Sequence, residues 1–555
     1  MKKYLFIFIN LVFVFSLLAE DDPIVWTNYS SKWFFSEIKS ENSSNIEFNK
    51  KDYLLINDNN TFEYYISNKN LFAKGSWEIH ENNFVFNYIL PEDTTREYII
   101  DYTEDKLILI ENNVNYIFAK NQKTTKNQPI LNKILRGILG LISLIFLAFI
   151  FSRDRKNINW ALVAKGLGIQ IIFALLILKI PLIYNVFDFI ARAFAKIILF
   201  TTEGSTFLFG SLMNDSESWG YIFAIQVLPT VIFFSALTSL FYYWRILPKI
   251  VYGFAWIMKN TLKLSGPESV AAAGNIFLGQ TESPLLVKPY LDKMTKSEIF
   301  CLMSGGMATI AGGVLAAFIG MLGQELAIHL IMASVMSAPA AIVAAKILVP
   351  ETESFESTLE VERKNTVANE LEAISQGTTD GIKLAVNVGA MLLVFMALMF
   401  MINYILLKLG DWTSLNTFII ENDWIQRNGG YNKLSVNMIL GYIGAPIAWL
   451  MGVCKEDMFL VGQLLGEKTV LNEFVAYLSL GEMKNASLFA EQKSIIIATY
   501  ILCGFANFAS IGIQIGGIGS LAPKRRGDLS RLGVLALIGG TLASLFTAVI
   551  VGMLI

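Results

Sequence analysis

The chain has 555 residues, a net charge of −2, 54% hydrophobic residues and only 16% charged residues. Soluble proteins carry about 25% charged residues, so this composition excludes an ordinary soluble protein and predicts an integral membrane protein surrounded by lipid. The near-neutral charge gives no indication of a nucleic-acid partner. Three cysteines in apolar segments and two distant histidines indicate neither a disulfide framework nor a His/Cys metal site.

Residues 1–19 have the layout of a secretory signal peptide. Two lysines precede an apolar run, and the run ends at Ala19 before three acidic residues. An uncleaved membrane anchor is the alternative. In either case the following segment is expected outside the cytoplasm, on the periplasmic or extracellular side.

Residues 20–125 are polar, lack cysteine and alternate in the manner of β-strands. Short apolar runs at 84–88, 107–110 and 116–118 are separated by turns rich in Asn and Asp. This pattern predicts a small antiparallel β-domain, loosely similar to lipocalins. A structural cap or partner-binding module is favoured over a ligand cup.

The segment 126–555 is predicted to be a multi-pass helical domain in the inner (plasma) membrane. Eight apolar segments are long enough to cross a bilayer. They are residues 131–151, 159–180, 220–244, 299–322, 325–348, 380–408, 492–516 and 530–555. The basic residues between them satisfy the positive-inside rule with both termini outside. The first part of 184–215 is amphipathic and predicts an interfacial helix.

Two further apolar segments are interrupted by polar residues, glycine or proline, and these predict re-entrant hairpins. Hairpin 1, about 260–292, lies between basic clusters too close together for two spans, and hairpin 2 covers about 434–466. Each hairpin precedes two spans, and the two hairpins enter from opposite faces. Such inverted repeats are typical of secondary transporters. A short sequence similarity between residues 308–310 and residues 509–511 supports the repeat only weakly.

Hairpin 1 carries the strongest chemical signal. Glu282 has apolar flanking residues, and a carboxylate at membrane depth needs a ligand, an ion or a partner. Gln280 and Thr281 add hydrogen-bonding groups that suit a heterocycle. The alternative is a polar cluster that only ties the hairpin shut.

A second polar set follows hairpin 2. Glu473 stands as the counterpart of Glu282, and Asn507 and Ser510 lie three residues apart on one helical face. Such residues often only hydrogen-bond across membrane helices. Together with the carboxylate, they favour a site for a substrate rich in hydroxyl groups.

Four motifs, in this order, resemble the concentrative nucleoside transporters. They are Gly279-Gln280-Thr281-Glu282-Ser283-Pro284, Gly306-Met307-Ala308-Thr309-Ile310-Ala311-Gly312, Asn472-Glu473-Phe474-Val475-Ala476-Tyr477, and Cys503-Gly504-Phe505-Ala506-Asn507 with Ser510. The resemblance covers about residues 130–555. It implies a homotrimer in which a transport domain moves across a scaffold, with one path per protomer.

The resemblance also implies roles for individual residues. The nucleobase contacts would be Gln280, Thr281, Glu282 and Val314; the ribose hydroxyls would be held by Glu473, Asn507 and Ser510, with Phe505 nearby. The sodium ligands would be Asn275, Leu278, Thr309 and Ile310, the two apolar residues through backbone carbonyls.

The sequence therefore predicts a sodium-driven nucleoside symporter with alternating access, without a cofactor other than the coupling ion. A proton-coupled nucleoside symporter is the alternative within transport. The alternatives outside transport are a membrane-bound nucleoside receptor and a membrane enzyme acting on nucleosides. No nucleophile–base pair supports an enzyme, and the intact polar sets in both halves argue against a degenerate receptor.

Overall fold

The structure is a computed structural model. It describes residues 31–39, 52–57, 60–66, 71–80, 83–90, 94–103, 106–111, 114–119, 130–213, 222–354, 367–422, 425, 431–486 and 488–555. They form two compact units, a β-domain and a helical region of residues 128–489 and 493–555. The predicted signal peptide, residues 1–19, lies outside the described residues.

The β-domain is a closed antiparallel barrel whose eight strands follow one another in chain order, with β1 also paired to β8. The strands are β1 Ser31–Lys39, β2 Tyr53–Ile56, β3 Thr61–Ile66, β4 Leu71–His80, β5 Asn83–Leu90, β6 Thr94–Thr103, β7 Lys106–Glu111 and β8 Val114–Ala119. This up-and-down order is the one found in lipocalins. The predicted antiparallel β-domain is confirmed, and the three apolar runs correspond to β5, β7 and β8.

Aromatic side chains pack inside the barrel. Strand β5 alternates between buried and partly exposed residues, so Phe84 and Phe86 point inward. Phe86 stacks on Phe62 with 4.4 Å between ring centroids, and Trp33 is fully buried. Eight strands enclose a space that side chains of this size just fill. A filled interior favours the structural cap over the ligand cup.

The second unit is helical throughout. Its α-helices are α1 Ile130–Ile150, α2 Trp160–Lys179, α3 Pro181–Phe209, α4 Phe223–Gln226, α5 Leu228–Tyr243, α6 Ile246–Leu262, α7 Gly266–Asn275, α8 Lys296–Ala308, α9 Gly312–Leu322, α10 Ala327–Leu348, α11 Glu370–Trp412, α12 Leu415–Glu421, α13 Val436–Leu450, α14 Met458–Val470, α15 Glu473–Asn485, α16 Gln492–Leu502, α17 Phe508–Leu521 and α18 Arg526–Leu554. A 3-10 helix, Ser283–Tyr290, follows α7. The predicted interfacial helix is part of the single helix α3.

Seven helical stretches in the described part of the chain are long and apolar enough to cross a membrane. They correspond to seven of the eight predicted spans. The eighth, 492–516, consists of two shorter apolar helices, α16 and α17, separated at residues 503–507. The predicted span 299–322 is likewise divided into α8 and α9 at residues 309–311. Each of these two predicted spans thus consists of two shorter helices separated by a break.

The helices repeat in order. In the first half, α7 and the 3-10 helix form hairpin 1, followed by the broken pair α8–α9 and the long helix α10. In the second half, α14 and α15 stand before the broken pair α16–α17 and the long helix α18. The predicted hairpin 2, 434–466, instead covers α13 and most of α14, whereas this order matches α14–α15 to hairpin 1. Residues 308–310 and 509–511, which are similar in sequence, do not occupy equivalent places relative to the two breaks.

A buried ion cluster fixes the start of hairpin 1. Lys346, near the end of α10, lies 2.7 Å from Oε1 of Glu268 in α7 and 3.5 Å from Oε2 of Glu351. Its Nζ also donates to Oγ of Ser297 at the start of α8 (2.9 Å). Because Lys346 and Glu268 are almost fully buried, removing one charge leaves the other without compensation.

Lys346→Met should therefore destabilise the helical unit by about 3–5 kcal/mol. The measurement is the thermal melting of the detergent-purified protein. Lys383→Met is the matched control, because Lys383 is exposed and pairs with Asp380 at 3.4 Å; its effect should stay below about 1 kcal/mol. Equal melting temperatures for the two variants would contradict a stabilising role for the cluster.

Candidate functional site

The tip of hairpin 1 is a short non-helical segment. Helix α7 ends at Asn275, and the backbone is irregular until the 3-10 helix begins at Ser283. Oε2 of Glu282 accepts a hydrogen bond from the Gly279 amide (3.1 Å), so the carboxylate closes the tip. Thr281 and Glu282 are exposed, which leaves both available to a ligand.

The first helix break is attached to this tip. The amide of Gly312, the first residue of α9, donates to the carbonyl of Phe277 in the tip (3.1 Å). Thr309 and Ile310 lie in the break itself, and Val314 is buried one half-turn into α9. The break and the tip of hairpin 1 therefore hold each other in position.

The second break contacts the first through backbone atoms. Gly504 has φ +94°, and a Cβ added there would lie 2.5 Å from the carbonyl carbon and oxygen of Ala308. Only glycine combines this left-handed backbone with such a close approach. The two broken helices thus meet where each is interrupted.

Side chains from the two halves are hydrogen-bonded next to this contact. Nε2 of Gln280 in the hairpin 1 tip donates to Oγ of Ser510 in α17 (3.1 Å), and both residues are buried. About two helical turns further along α17, a Cβ on Gly517 would come within 2.9 Å of the Thr281 methyl group. The residues predicted for base and for ribose are therefore neighbours.

The second polar set is organised by helix capping. Asn507 caps α17 by accepting from the Ser510 amide (2.9 Å). Its Nδ2 donates to Oε2 of Glu473, the first residue of α15, at 2.9 Å. Glu473 is 4% exposed, and Phe505 lies in the same break at 9% exposure. Burial makes the Glu473 carboxylate dependent on its hydrogen-bond donors.

A cation could be held beside the first break. Asn275 is fully buried, and within the described chain neither its Oδ1 nor its Nδ2 has a hydrogen-bond partner. A Cβ on Gly305 of α8 would lie 2.6 Å from that Nδ2. The Thr309 hydroxyl donates to the Gly305 carbonyl (2.9 Å), which leaves its oxygen lone pairs available. An orphaned amide oxygen, a hydroxyl and the carbonyls of irregular backbone, which include those of Leu278 and Ile310, suit a hard cation.

Two buried residues of the site were not among the predicted ones. Gln514 lies four residues after Ser510 on the same face of α17, and its Nε2 donates to the Met303 carbonyl in α8 (2.9 Å). That spacing was the signal that could have identified it. The other residue is Lys468, which is fully buried in α14. Its place five residues before Glu473, in the same half of the membrane domain, was a visible signal as well.

The enzyme alternative gains no support from the one histidine in the described helices. Nδ1 of His329 lies 3.1 Å from the hydroxyl of Tyr500, and that hydroxyl donates to the sulfur of Met332. In a nucleophile–base–carboxylate arrangement the histidine would be hydrogen-bonded to a nucleophile through one ring nitrogen and to a carboxylate through the other.

Comparisons with known proteins cover almost the whole helical region. Three family models match the chain: the Na+ dependent nucleoside transporter N-terminus at 139–212, nucleoside recognition at 224–325, and the Na+ dependent nucleoside transporter C-terminus at 329–552. An uncharacterized transporter of Haemophilus influenzae is 41% identical over 426 residues, which are 76% of this chain and 98% of that protein. The chain belongs to the concentrative nucleoside transporter family.

Animal members of the family are similar over the same region. Human solute carrier family 28 member 3 is 40% identical over 75% of this chain and 59% of its own length. Rat sodium/nucleoside cotransporter 1 is 38% identical over 76% of this chain and 64% of its own length. The chain thus spans about three fifths of these longer relatives.

Solved structures share the fold. The structure of CNTnw in an inward-facing substrate-bound state aligns with a TM-score of 0.68 at 36% identity, covering 76% of this chain and 97% of that one. A doubly substituted variant of CNTnw in an outward-facing state aligns with a TM-score of 0.70 at 36% identity, covering 77% of this chain and 99% of that one. The predicted class, a polytopic helical membrane transporter with an added β-domain, is confirmed. As a member of this family the protein is a transporter and not an enzyme.

The backbone contact between the breaks predicts a large effect for Gly504→Ala. The left-handed backbone alone costs about 1–2 kcal/mol for a residue with a Cβ, and the overlap with the Ala308 carbonyl adds to this. We expect a clearly lower melting temperature and yield of monodisperse protein. Gly512→Ala in α17 is the matched control, because a Cβ there meets no atom within 4 Å. A variant at Gly504 as stable as the one at Gly512 would contradict the close approach.

Proposed function

We propose that this protein is a sodium-driven nucleoside symporter that imports its substrate by alternating access. The observation that carries the proposal is the hydrogen bond between Gln280 and Ser510 beside the contact of the two broken helices. It brings polar groups of both repeats to one place, and in secondary transporters discontinuous helices form the substrate site.

The two polar sets divide the recognition of a nucleoside. Gln280, Thr281 and Glu282 supply an amide, a hydroxyl and a carboxylate, which can pair with the donor and acceptor edge of a nucleobase, while Val314 lies buried nearby in α9. Glu473, Asn507 and Ser510 accept and donate hydrogen bonds to vicinal ribose hydroxyls. Phe505, in the same break, offers an aromatic surface. The exposed Glu282 supports a role in contacting a ligand.

Sodium binding would stabilise the tip of hairpin 1. Asn275 ends α7, and Thr309 and Ile310 belong to the break attached to that tip. A cation held by Asn275, Leu278, Thr309 and Ile310 would favour the conformation in which Gln280 faces the substrate. A ligand shifts such an equilibrium by its difference in affinity for the two states. Nucleoside and sodium should therefore raise each other's affinity.

The same proposal places the protein in the inner (plasma) membrane, as a homotrimer, with the β-barrel on the periplasmic or extracellular side. Support for a lipid or subunit environment comes from α11, which packs against α5 and exposes Leu393, Phe400 and Tyr404. A face this apolar needs a covering of lipid or protein.

Glu282→Gln and Glu473→Gln should each nearly abolish nucleoside uptake while leaving insertion intact. Each loses a charge-assisted hydrogen bond to a buried substrate, worth about 1.5–3 kcal/mol. The measurement is uptake of labelled uridine and adenosine into proteoliposomes at equal protein content. Glu456→Gln is the control, because Glu456 is exposed in the turn before α14. Uptake by either site variant that equals the control would refute the assignment.

Asn275→Ala and Thr309→Ala should weaken the response to sodium more than they change the preference between bases. The sodium concentration for half-maximal uptake should rise at least tenfold, since a lost ligand of about 1.4 kcal/mol corresponds to that factor. Thr547→Ala is the matched control, because Thr547 is equally buried and makes the same hydrogen bond to the preceding turn, to Ala543.

Sodium and proton gradients must be imposed separately in this assay. Under the proposal, an inward sodium gradient drives accumulation and a proton gradient alone does not. Full uptake without sodium, driven by protons, would establish the proton-coupled alternative instead.

A further inference from the structure

Lys468 is a buried cation at the second helix break. It lies two residues before helix α14, the first helix of the α14–α15 pair, ends at Val470, and its side chain is fully buried. Its Nζ donates to the carbonyls of Ile501 (3.0 Å) and Cys503 (2.9 Å) and to Oγ of Ser544 (3.0 Å). All three protons of the ammonium group thus have an acceptor, and none of these acceptors is a carboxylate.

Two of the acceptors are at the end of a helix. Helix α16 stops at Leu502, so the carbonyls of Ile501 and Cys503 lie in its last turn and in the break. Such carbonyls carry the partial negative charge of the helix dipole and attract a cation. A buried ammonium group is tolerated when it is fully hydrogen-bonded. The second break is therefore a cation site built into the protein and occupied by its own side chain.

The first half has a different residue near the end of its first hairpin helix. Asn275 ends the first arm of hairpin 1 and faces α8 near Gly305, just before the first break, as Lys468 faces the end of α16. In the described structure the Asn275 amide has no partner, whereas the Lys468 ammonium has three. The end of the first hairpin helix thus offers an unpaired ligand in one half and a fixed positive charge in the other.

We propose that Lys468 is a tethered counterpart of the coupling cation: a positioning residue that permanently holds the second break as sodium reversibly holds the first. This inference rests on the proposed sodium site at Asn275. It implies that the two corresponding positions together take up one exchangeable cation. Only hairpin 1 then responds to sodium. The conformation of the ribose side, where Glu473 follows Lys468 by five residues, is already fixed by the lysine.

The test is nucleoside binding by the full-length, detergent-purified protein as a function of sodium concentration. At sodium that saturates the wild type, Lys468→Gln should weaken binding at least about tenfold, because hydrogen bonds of a charged group are lost. Additional sodium should enter the vacated position and restore part of the affinity. The sodium dependence should then become steeper, with a Hill coefficient moving from about one toward two.

Chemical rescue supplies a second readout. In Lys468→Ala, propylammonium replaces the missing atoms and should restore binding, whereas in Asn275→Ala it should not. Lys493→Gln is the matched control, because Lys493 also donates to helix-end carbonyls, those of Gly552 (2.7 Å) and Ile555 (3.1 Å), away from the breaks. That variant should keep the sodium dependence of the wild type.

Several outcomes would overturn the inference. One is an unchanged affinity and sodium dependence in Lys468→Gln. Another is a folded Lys468→Ala whose lost binding neither sodium nor propylammonium restores, which would assign Lys468 a purely structural role. If both variants fail to fold, extraction in propylammonium should recover folded Lys468→Ala, and failure to do so refutes the inference. Sodium-independent binding by the wild type would refute the proposed sodium coupling instead, so the two failures are distinguishable.

Discussion

The structure depends on the backbone contact between its two helix breaks. Interrupting a helix at membrane depth leaves amide and carbonyl groups unpaired, and each costs several kcal/mol in an apolar medium. Here the backbone groups left unpaired at the breaks have specific partners. The Gly312 amide donates to the tip of hairpin 1, and the Asn507 side chain caps α17. The Lys468 ammonium donates to the carbonyls at the end of α16. Because Gly504 lets the breaks approach to contact distance, all these groups converge on a small volume.

The side-chain pattern predicted most of the helices, since apolar length and flanking charge decide which segments cross a bilayer. It did not predict the breaks at 309–311 and 503–507, because all the residues there except Asn507 are small or apolar and a hydropathy average does not detect them. A break is decided by tertiary contacts, such as the approach of Gly504 to Ala308. The local signals were one glycine and the capping residue Asn507.

The predicted bounds of hairpin 2 illustrate the opposite problem, a sequence signal that does not mark a helix break. Gly444-Ala445-Pro446 suggested an interruption, but Pro446 lies inside α13, which continues to Leu450. The separation between α14 and α15 falls at residues 471–472, where Asn472 caps α15 by accepting from the Val475 amide. A proline removes one hydrogen bond and is tolerated in membrane helices when neighbours compensate. The asparagine cap was therefore the better signal of a chain reversal than the proline.

The candidate site was predicted as two separate polar sets, and the structure joins them through Gln280 and Ser510. That link could not be read from spacing, since 230 residues separate the partners. The two repeats supply similar helical frameworks, yet under the proposed mechanism they respond differently to sodium. A fixed ammonium in one half and an unpaired amide in the other produce that difference with two side chains. Under the proposed sodium coupling, sodium would bind only where no resident charge opposes it, and its free energy of binding would act on hairpin 1 alone.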